Sequence, residues 1–343
     1  MAEREAIGFY EIQAPGVSCR LSNYGASMVS VQVPDARGRD LRVALSPTDF
    51  VHGTADPALA GRTIGPCCGR IKDGTIEIDG QEYLLERNEG NNHLHGGNSG
   101  CAWQIWRAEQ LSPTHMRFAL ELPDGLAGYP GNRTLQVDYT ASEGCLEAVY
   151  TVETDRPTYI NMTNHTYWDL SGRFDGSAMR QVLEIAADRL VRNASDQSLQ
   201  DIVSARGGAF DFTVPGVPED RLRSYSEDPQ LILGNGFDNY LILSEELRSA
   251  WGFAARLHSP DSGIRMTIET DQPALVFYSG GGFDSRPRMN GESAGPGCAL
   301  ALEAQGMPDP FHLAGSQADI VRPGERWQRY IRWRFDCGHG AQS

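Results

Sequence analysis

His165 and Glu303 are the side chains of this sequence best suited to moving protons. His165 lies in Thr163-Asn164-His165-Thr166-Tyr167-Trp168, an imidazole fenced by amides and aromatic rings at the end of a strand-like run. Glu303 is a single carboxylate inside the apolar run Ala299-Leu300-Ala301-Leu302-Glu303-Ala304. Burying an unpaired carboxylate there is costly, so Glu303 is either paired or lines a cavity where its proton affinity is used. Three more polar clusters interrupt the apolar alternation: Gly69-Arg70-Ile71, Asn92-His93-Leu94-His95-Gly96-Gly97 and Gly236-Phe237-Asp238-Asn239. Each alone has a structural reading: a satisfied core histidine at His165, a surface charge at Arg70, a turn at Gly96-Gly97, a capped bend at Asp238. Together they are the inventory of a sugar pocket. A histidine and a glutamate transfer protons, Arg, Asp and amides bind hydroxyls, and aromatic faces cover the sugar's C–H surfaces.

Other chemistries fit less well. His93-Leu94-His95 resembles the first half of a cupin metal motif, but Gly96-Gly97-Asn98-Ser99-Gly100 follow where that motif wants a glutamate. Gly234-Asn235-Gly236 and Gly280-Gly281-Gly282 hint at phosphate loops, yet neither opens a helix after a strand. Cys67-Cys68 beside Arg70 is either a reactive site or, as the plainer reading has it, two small side chains in a loop or strand.

The elements that must position these residues read as strands. Met116, Phe118, Leu120 and Leu122 alternate with polar or small residues, as do Leu135, Val137 and Tyr139, and Leu146, Ala148, Tyr150 and Val152. Ile264, Met266 and Ile268 repeat the pattern, and Ile331, Trp333 and Phe335 close the chain with it. Period-two alternation means strands with one buried face. Asp79-Gly80 between Thr75–Ile78 and Gln81–Leu84 predicts a type I′ hairpin. Helical periodicity is scarce; Pro47-Thr48-Asp49-Phe50 and Ser244-Glu245-Glu246-Leu247 suggest single turns. No linker, composition break or repeat divides the chain. The expectation is one all-β domain over residues 1–343, a large antiparallel β-sandwich or barrel.

Composition bounds the partners. Of 343 residues, 40% are hydrophobic and 22% charged, an ordinary globular balance. The formal charge is −15 with no basic block, which argues against nucleic acid and anionic membrane surfaces as partners. The charged N-terminus MAEREAIGFYEIQ has no apolar signal region, and no run is long enough to span a bilayer. Seven cysteines, an odd number without the spacing of a small secreted domain, point to a reduced, cytoplasmic setting. The sequon-like Asn132-Arg133-Thr134 and Asn161-Met162-Thr163 then carry no glycosylation meaning.

In chain order the clusters read Gly-Arg-Ile, His-Leu-His-Gly-Gly, Thr-Asn-His-Thr-Tyr, Gly-Phe-Asp, Asp-Gln-Pro and Leu-Glu-Ala-Gln. That order and spacing resemble the aldose 1-epimerases, or galactose mutarotases, over nearly the whole chain. The resemblance implies a galactose mutarotase-like supersandwich and an isomerase that interconverts the anomers of a free galactose- or glucose-type hexose. It implies Glu303 as catalytic base and His165 as acid, with Arg70, His95, Asp238 and Gln272 as sugar ligands. It implies no cofactor and no metal, and a monosaccharide as the partner. Such a mechanism needs His165 charged near neutrality, and neighbouring carboxylates are expected to raise its pKa. Two departures touch the preferred sugar rather than the reaction. Pro66-Cys67-Cys68-Gly69-Arg70 stands where the family often has Arg-x-Ala-Asn-Arg, so an asparagine ligand is missing, and Trp168-Asp169 stand where Phe-Asn is common. Two other readings remain open here: a hexose-6-phosphate 1-epimerase of the same superfamily, and a non-catalytic sugar-binding protein.

Overall fold

The computed structural model describes residues 6–45, 58–283 and 295–337. Among these, every strand pairing between named strands is antiparallel, and the two largest sheets carry the architecture. The first has eight strands in the order Arg107–Ser112, His115–Leu122, Arg133–Ser142, Cys145–Thr154, Trp327–Cys337, Ile264–Thr270, Ala255–His258 and Val182–Ile185. The second has six: Tyr167–Trp168, Leu300–Gln305, Ala274–Tyr278, Asp238–Leu243, Ala187–Asn193 and Leu199–Ser204. A four-stranded sheet, Phe9–Ala14 to Asp40–Arg42, joins the N-terminal part to the same core.

Alternation decides which side chains meet between the sheets. From the eight-stranded sheet, Val137, Tyr139, Tyr150, Ile268 and Trp333 enter the main hydrophobic cluster; from the six-stranded sheet, Leu241, Leu275, Phe277, Leu300 and Leu302 do. Trp168 bridges the two layers, its ring 6.0 Å from Trp333 and 5.8 Å from Phe335. Of the sandwich and the barrel that the period-two pattern left open, the sandwich is the observed architecture. The opposite face of the six-stranded sheet is free to hold something else, and that face carries the site.

The hairpin at Asp79-Gly80 forms as predicted, with Thr75–Ile78 paired to Gln81–Leu84 and both turn residues left-handed. Ser244-Glu245-Glu246-Leu247 opens a seven-residue helix, Glu245–Trp251, rather than a single turn. Ser244 Oγ caps it by accepting from the Leu247 amide at 3.4 Å. The turn expected at Pro47–Phe50 lies outside the described residues. Among the described residues no helix is long and apolar enough to cross a membrane.

Candidate active site

Four neighbouring strands of the six-stranded sheet lay out the floor of a cavity by register alone. One row across the strands reads Tyr240, Val276, Glu303; the next reads Asp238, Tyr278, Ala301, Tyr167. Residues two apart on a strand share a face, so Asp238 with Tyr240, Val276 with Tyr278, and Glu303 with Gln305 all point away from the core. Leu300, Leu302 and Ala304, between them, pack inward. A carboxylate in an apolar strand is thus accommodated because only one face of that strand is core.

The walls come from three further segments. His165 follows the short strand Thr163–Asn164 and is clamped by its backbone. Its N–H donates to Arg62 O and its own carbonyl accepts from the Gly61 amide, both at 2.9 Å. Arg70 and Leu94 pair across a two-stranded ribbon, which delivers Arg70 and His95 to the rim. His95 can turn in because Gly96 follows it: a Cβ at Gly96 would lie 2.2 Å from Gly65 O. The enclosed space is about 220 Å³. That is below the roughly 300–1,000 Å³ of drug-sized sites, and suits one sugar ring rather than a chain. Tyr167, Tyr278 and Phe283 form its aromatic side, with Tyr167 and Phe283 rings 4.9 Å apart.

His165 and Glu303 face each other inside this space, with Nε2 3.5 Å from Oε1. Both residues are buried, and His165 Nδ1 and Glu303 Oε2 have no protein hydrogen-bond partner. Burial governs their protonation. It pushes Glu303 up to about 8, with nearby Asp238 adding to the rise, and pushes His165 down to about 4. The expectation that carboxylates raise the histidine is overturned, because desolvation of an enclosed imidazolium outweighs their attraction. Between those two pH values the pair holds one proton, and in the empty site Glu303 carries it.

Around the pair, three of the four expected ligand residues, Arg70, His95 and Asp238, line the cavity. His95 Nδ1 accepts from the Gly69 amide at 3.2 Å. Burial, with the nearby His165 and Arg70, keeps His95 well below its ordinary pKa. His95 is therefore neutral, with the proton on Nε2, and serves as a hydrogen-bond donor rather than as a charge. Arg70 is held by a bidentate pair with Glu89, Nε to Oε2 at 2.6 Å and Nη2 to Oε1 at 2.8 Å. Asp238 lines the floor, and burial raises its pKa against the pull of Arg70.

Gln272 is not brought to the cavity. It is fully buried beyond the end of the Ala274–Tyr278 strand, and its Nε2 donates to Met162 O at 3.0 Å. Val276, four residues on, lines the cavity instead. Asn164 is scaffold too: its Nδ2 donates to Gly61 O at 3.0 Å and to Tyr139 Oη at 3.2 Å, on the side of the strand opposite His165. Of the aromatics after His165, Tyr167 is wall and Trp168 is core. Asp169 is a loop hub, accepting from Ser171, Phe174 and Ser177, so the Trp168-Asp169 departure lies outside the cavity lining.

His93 turns away from His95. Its Nδ1 donates to Glu86 O at 2.6 Å and its Nε2 accepts from Tyr129 Oη at 2.8 Å, so both ring nitrogens are engaged and it cannot join His95 on a metal. Cys67 and Cys68 are buried, and burial pushes the Cys67 thiol up to about 12 and the Cys68 thiol well above its ordinary value. They are not reactive thiolates. Cys68 Sγ instead donates to Gln305 Oε1, leaving the Gln305 amide NH₂ as the group available to a ligand. Tyr240, Gln305 and Gly69 line the cavity without having been picked out as site residues. The signal for the first two was present, since each stands two residues from a chosen one, Asp238 or Glu303, on the same strand.

A stacked-sheet fold whose outer face carries a buried histidine–glutamate pair, further polar side chains and an aromatic wall around a single-ring cavity has the inventory of a β-sandwich protein that acts on a sugar. The aldose 1-epimerase family profile matches residues 8–334, and the chain belongs to that family. It is 29% identical to the galactose mutarotase of Bos taurus over 332 residues, covering 95% of this chain and 93% of the bovine one. It is 28% identical to the aldose 1-epimerase of Escherichia coli (strain K12), covering 93% of this chain and 92% of that one. Among solved structures, the aldose epimerase homologue from C. elegans superposes with a TM-score of 0.87 at 26% identity, over 97% of this chain and 99% of that one.

Proposed function

We propose that this chain is an isomerase that interconverts the α and β anomers of a free galactose- or glucose-type aldose. The observation that carries the reading is the His165–Glu303 pair, 3.5 Å apart and buried over a single-ring cavity. Glu303 takes the proton of the C1 hydroxyl. The O–H electrons become the second C1–O bond, the C1–O5 bond breaks, and O5 takes a proton from His165. The aldehyde turns about C1–C2, and closure on the other face returns both protons. Nothing is oxidised or reduced, and each positioned proton transfer is worth roughly 10²–10⁴-fold.

The single proton of the pair supports this cycle without exchange with solvent. With Glu303 protonated and His165 neutral the empty site avoids two buried charges; moving that proton to His165 creates the base and the acid together. The same proton count would serve the reverse assignment, with Glu303 as acid and His165 as base. The ¹⁵N shifts of His165 with bound 1,5-anhydrogalactitol separate the two: imidazolium supports His165 as acid, neutral imidazole the reverse.

A phosphosugar is disfavoured on charge. Among the described residues lining the cavity, Arg70 is the one arginine or lysine, and Glu89 already neutralises it, while Asp238 and Glu303 add acidity. A non-catalytic sugar binder has no use for a base lifted to about 8 by burial. Among the described residues no two cysteines are joined in a disulfide, which supports a reducing, cytoplasmic setting. The test is polarimetry of freshly dissolved α-galactose, α-glucose and arabinose, with glucose 6-phosphate as the competing substrate. Acceleration of a free aldose supports the reading; activity on the phosphosugar alone, or on none, overturns it.

A further inference from the structure

Gly69 and Tyr240 occupy one another's space. Gly69 lines the cavity from the wall, directly before Arg70, and Tyr240 rises from the floor two residues beyond Asp238. A Cβ built on Gly69 would fall 1.5 Å from Tyr240 Oη and 3.6 Å from Gln305 Oε1. No side chain of any kind fits at position 69 while Tyr240 keeps its place. The phenol fills the volume in which the resemblance puts an asparagine, and it brings a hydroxyl there from the floor of the cavity.

That hydroxyl is unusual in its surroundings. Tyr240 is 5% exposed and burial pushes its pKa well above the ordinary value, so it stays an O–H at any working pH. No described residue hydrogen-bonds to it. Tyr240 lines the cavity, so its O–H is open to whatever enters there. Register says where that something lies. Tyr240 and Glu303 flank Val276 in a single row across three strands, so their backbones are about 10 Å apart at the usual strand spacing. Val276 between them is short and apolar. A ring seated over Val276 meets Glu303 at one edge and Tyr240 Oη at the other.

We propose that Tyr240 is a sugar-hydroxyl ligand, made possible by the missing side chain of Gly69, and that this pair sets which aldoses the cavity accepts. The proposal rests on the aldose reading above, with C1 at Glu303. Tyr240 then serves a hydroxyl on the part of the ring remote from C1, as both donor and acceptor, and it takes no proton in the reaction.

The experiment compares wild type, Tyr240→Phe, Gly69→Asn and the double variant Gly69→Asn/Tyr240→Ala on galactose and its 2-, 3-, 4- and 6-deoxy forms. Tyr240→Phe keeps the packing, and kcat/KM on galactose should fall roughly 10-fold, mainly through KM, with the limbs of the pH profile unmoved. The loss should vanish on the one deoxy sugar that lacks the hydroxyl served by Tyr240. Gly69→Asn alone should abolish activity by displacing the phenol, and removing the phenol as well should restore part of it. Asparagine is chosen because it tolerates the left-handed backbone at position 69. If Tyr240→Phe matches wild type on every sugar, or loses equally on all of them, the inference is overturned. Absence of activity in the wild type itself would instead overturn the aldose reading, and binding of 1,5-anhydrogalactitol to wild type and Tyr240→Phe then tests the ligand role by itself: equal affinities overturn it, weaker binding by the variant upholds it.

Discussion

Glu303→Gln should stabilise the fold while it removes activity, and the gain should grow with pH. Burial lifts the Glu303 carboxyl from 4.5 to about 8, so the folded protein keeps a proton that the unfolded chain releases above its ordinary value. Between those pH values unfolding releases a proton. Stability therefore falls as pH rises, and the loss levels off once the folded carboxyl also ionises. At about 1.4 kcal/mol per pH step, the carboxyl weakens the fold by about 1 kcal/mol near pH 5 and about 4 kcal/mol near pH 7.5. Glutamine has nearly the same shape and no charge at any pH, so it escapes this penalty. Urea unfolding of both proteins at the two pH values measures the difference, with equal m-values as the check that the end states match. A difference that stays constant between the two pH values refutes the reasoning, because the carboxyl would then be solvated or held ionised by His165. So would a wild type that gains on the variant as pH rises.

Three more expectations concern the same site and its frame. The pH profile of kcat/KM should be a bell with limbs near 4 and 8, since the active pair needs one proton; limbs near 4.5 and 6.5 would mean a solvated site. Turnover of Glu303→Gln should drop at least roughly 100-fold while 1,5-anhydrogalactitol still binds, as calorimetry can measure; near-normal turnover would remove Glu303 from the mechanism. Trp168→Ala empties the contact between the two sheets and should cost about 3–5 kcal/mol in urea unfolding, and a loss below about 1 kcal/mol would mean the layers do not depend on that ring.

Much of this protein was legible in the sequence because strands write their orientation in alternate residues. The runs ending in Ile331-Arg332-Trp333-Arg334-Phe335 and containing Ile264 to Ile268 specified a buried face and a sandwich or barrel, and the lone carboxylate of Glu303 in an apolar strand specified either a buried partner or a cavity. The cluster order carried the family. What alternation does not carry is which strands lie side by side, since that depends on long-range register. Tyr240 became part of the site only when Val276 brought its strand beside that of Glu303, and Gln272 left it because its turn closes onto Met162. Protonation was likewise decided in three dimensions. The sequence supplies a histidine and a carboxylate with ordinary affinities; enclosure by both sheets and the wall removes water from each, and desolvation, which no local pattern encodes, moves the proton from one to the other.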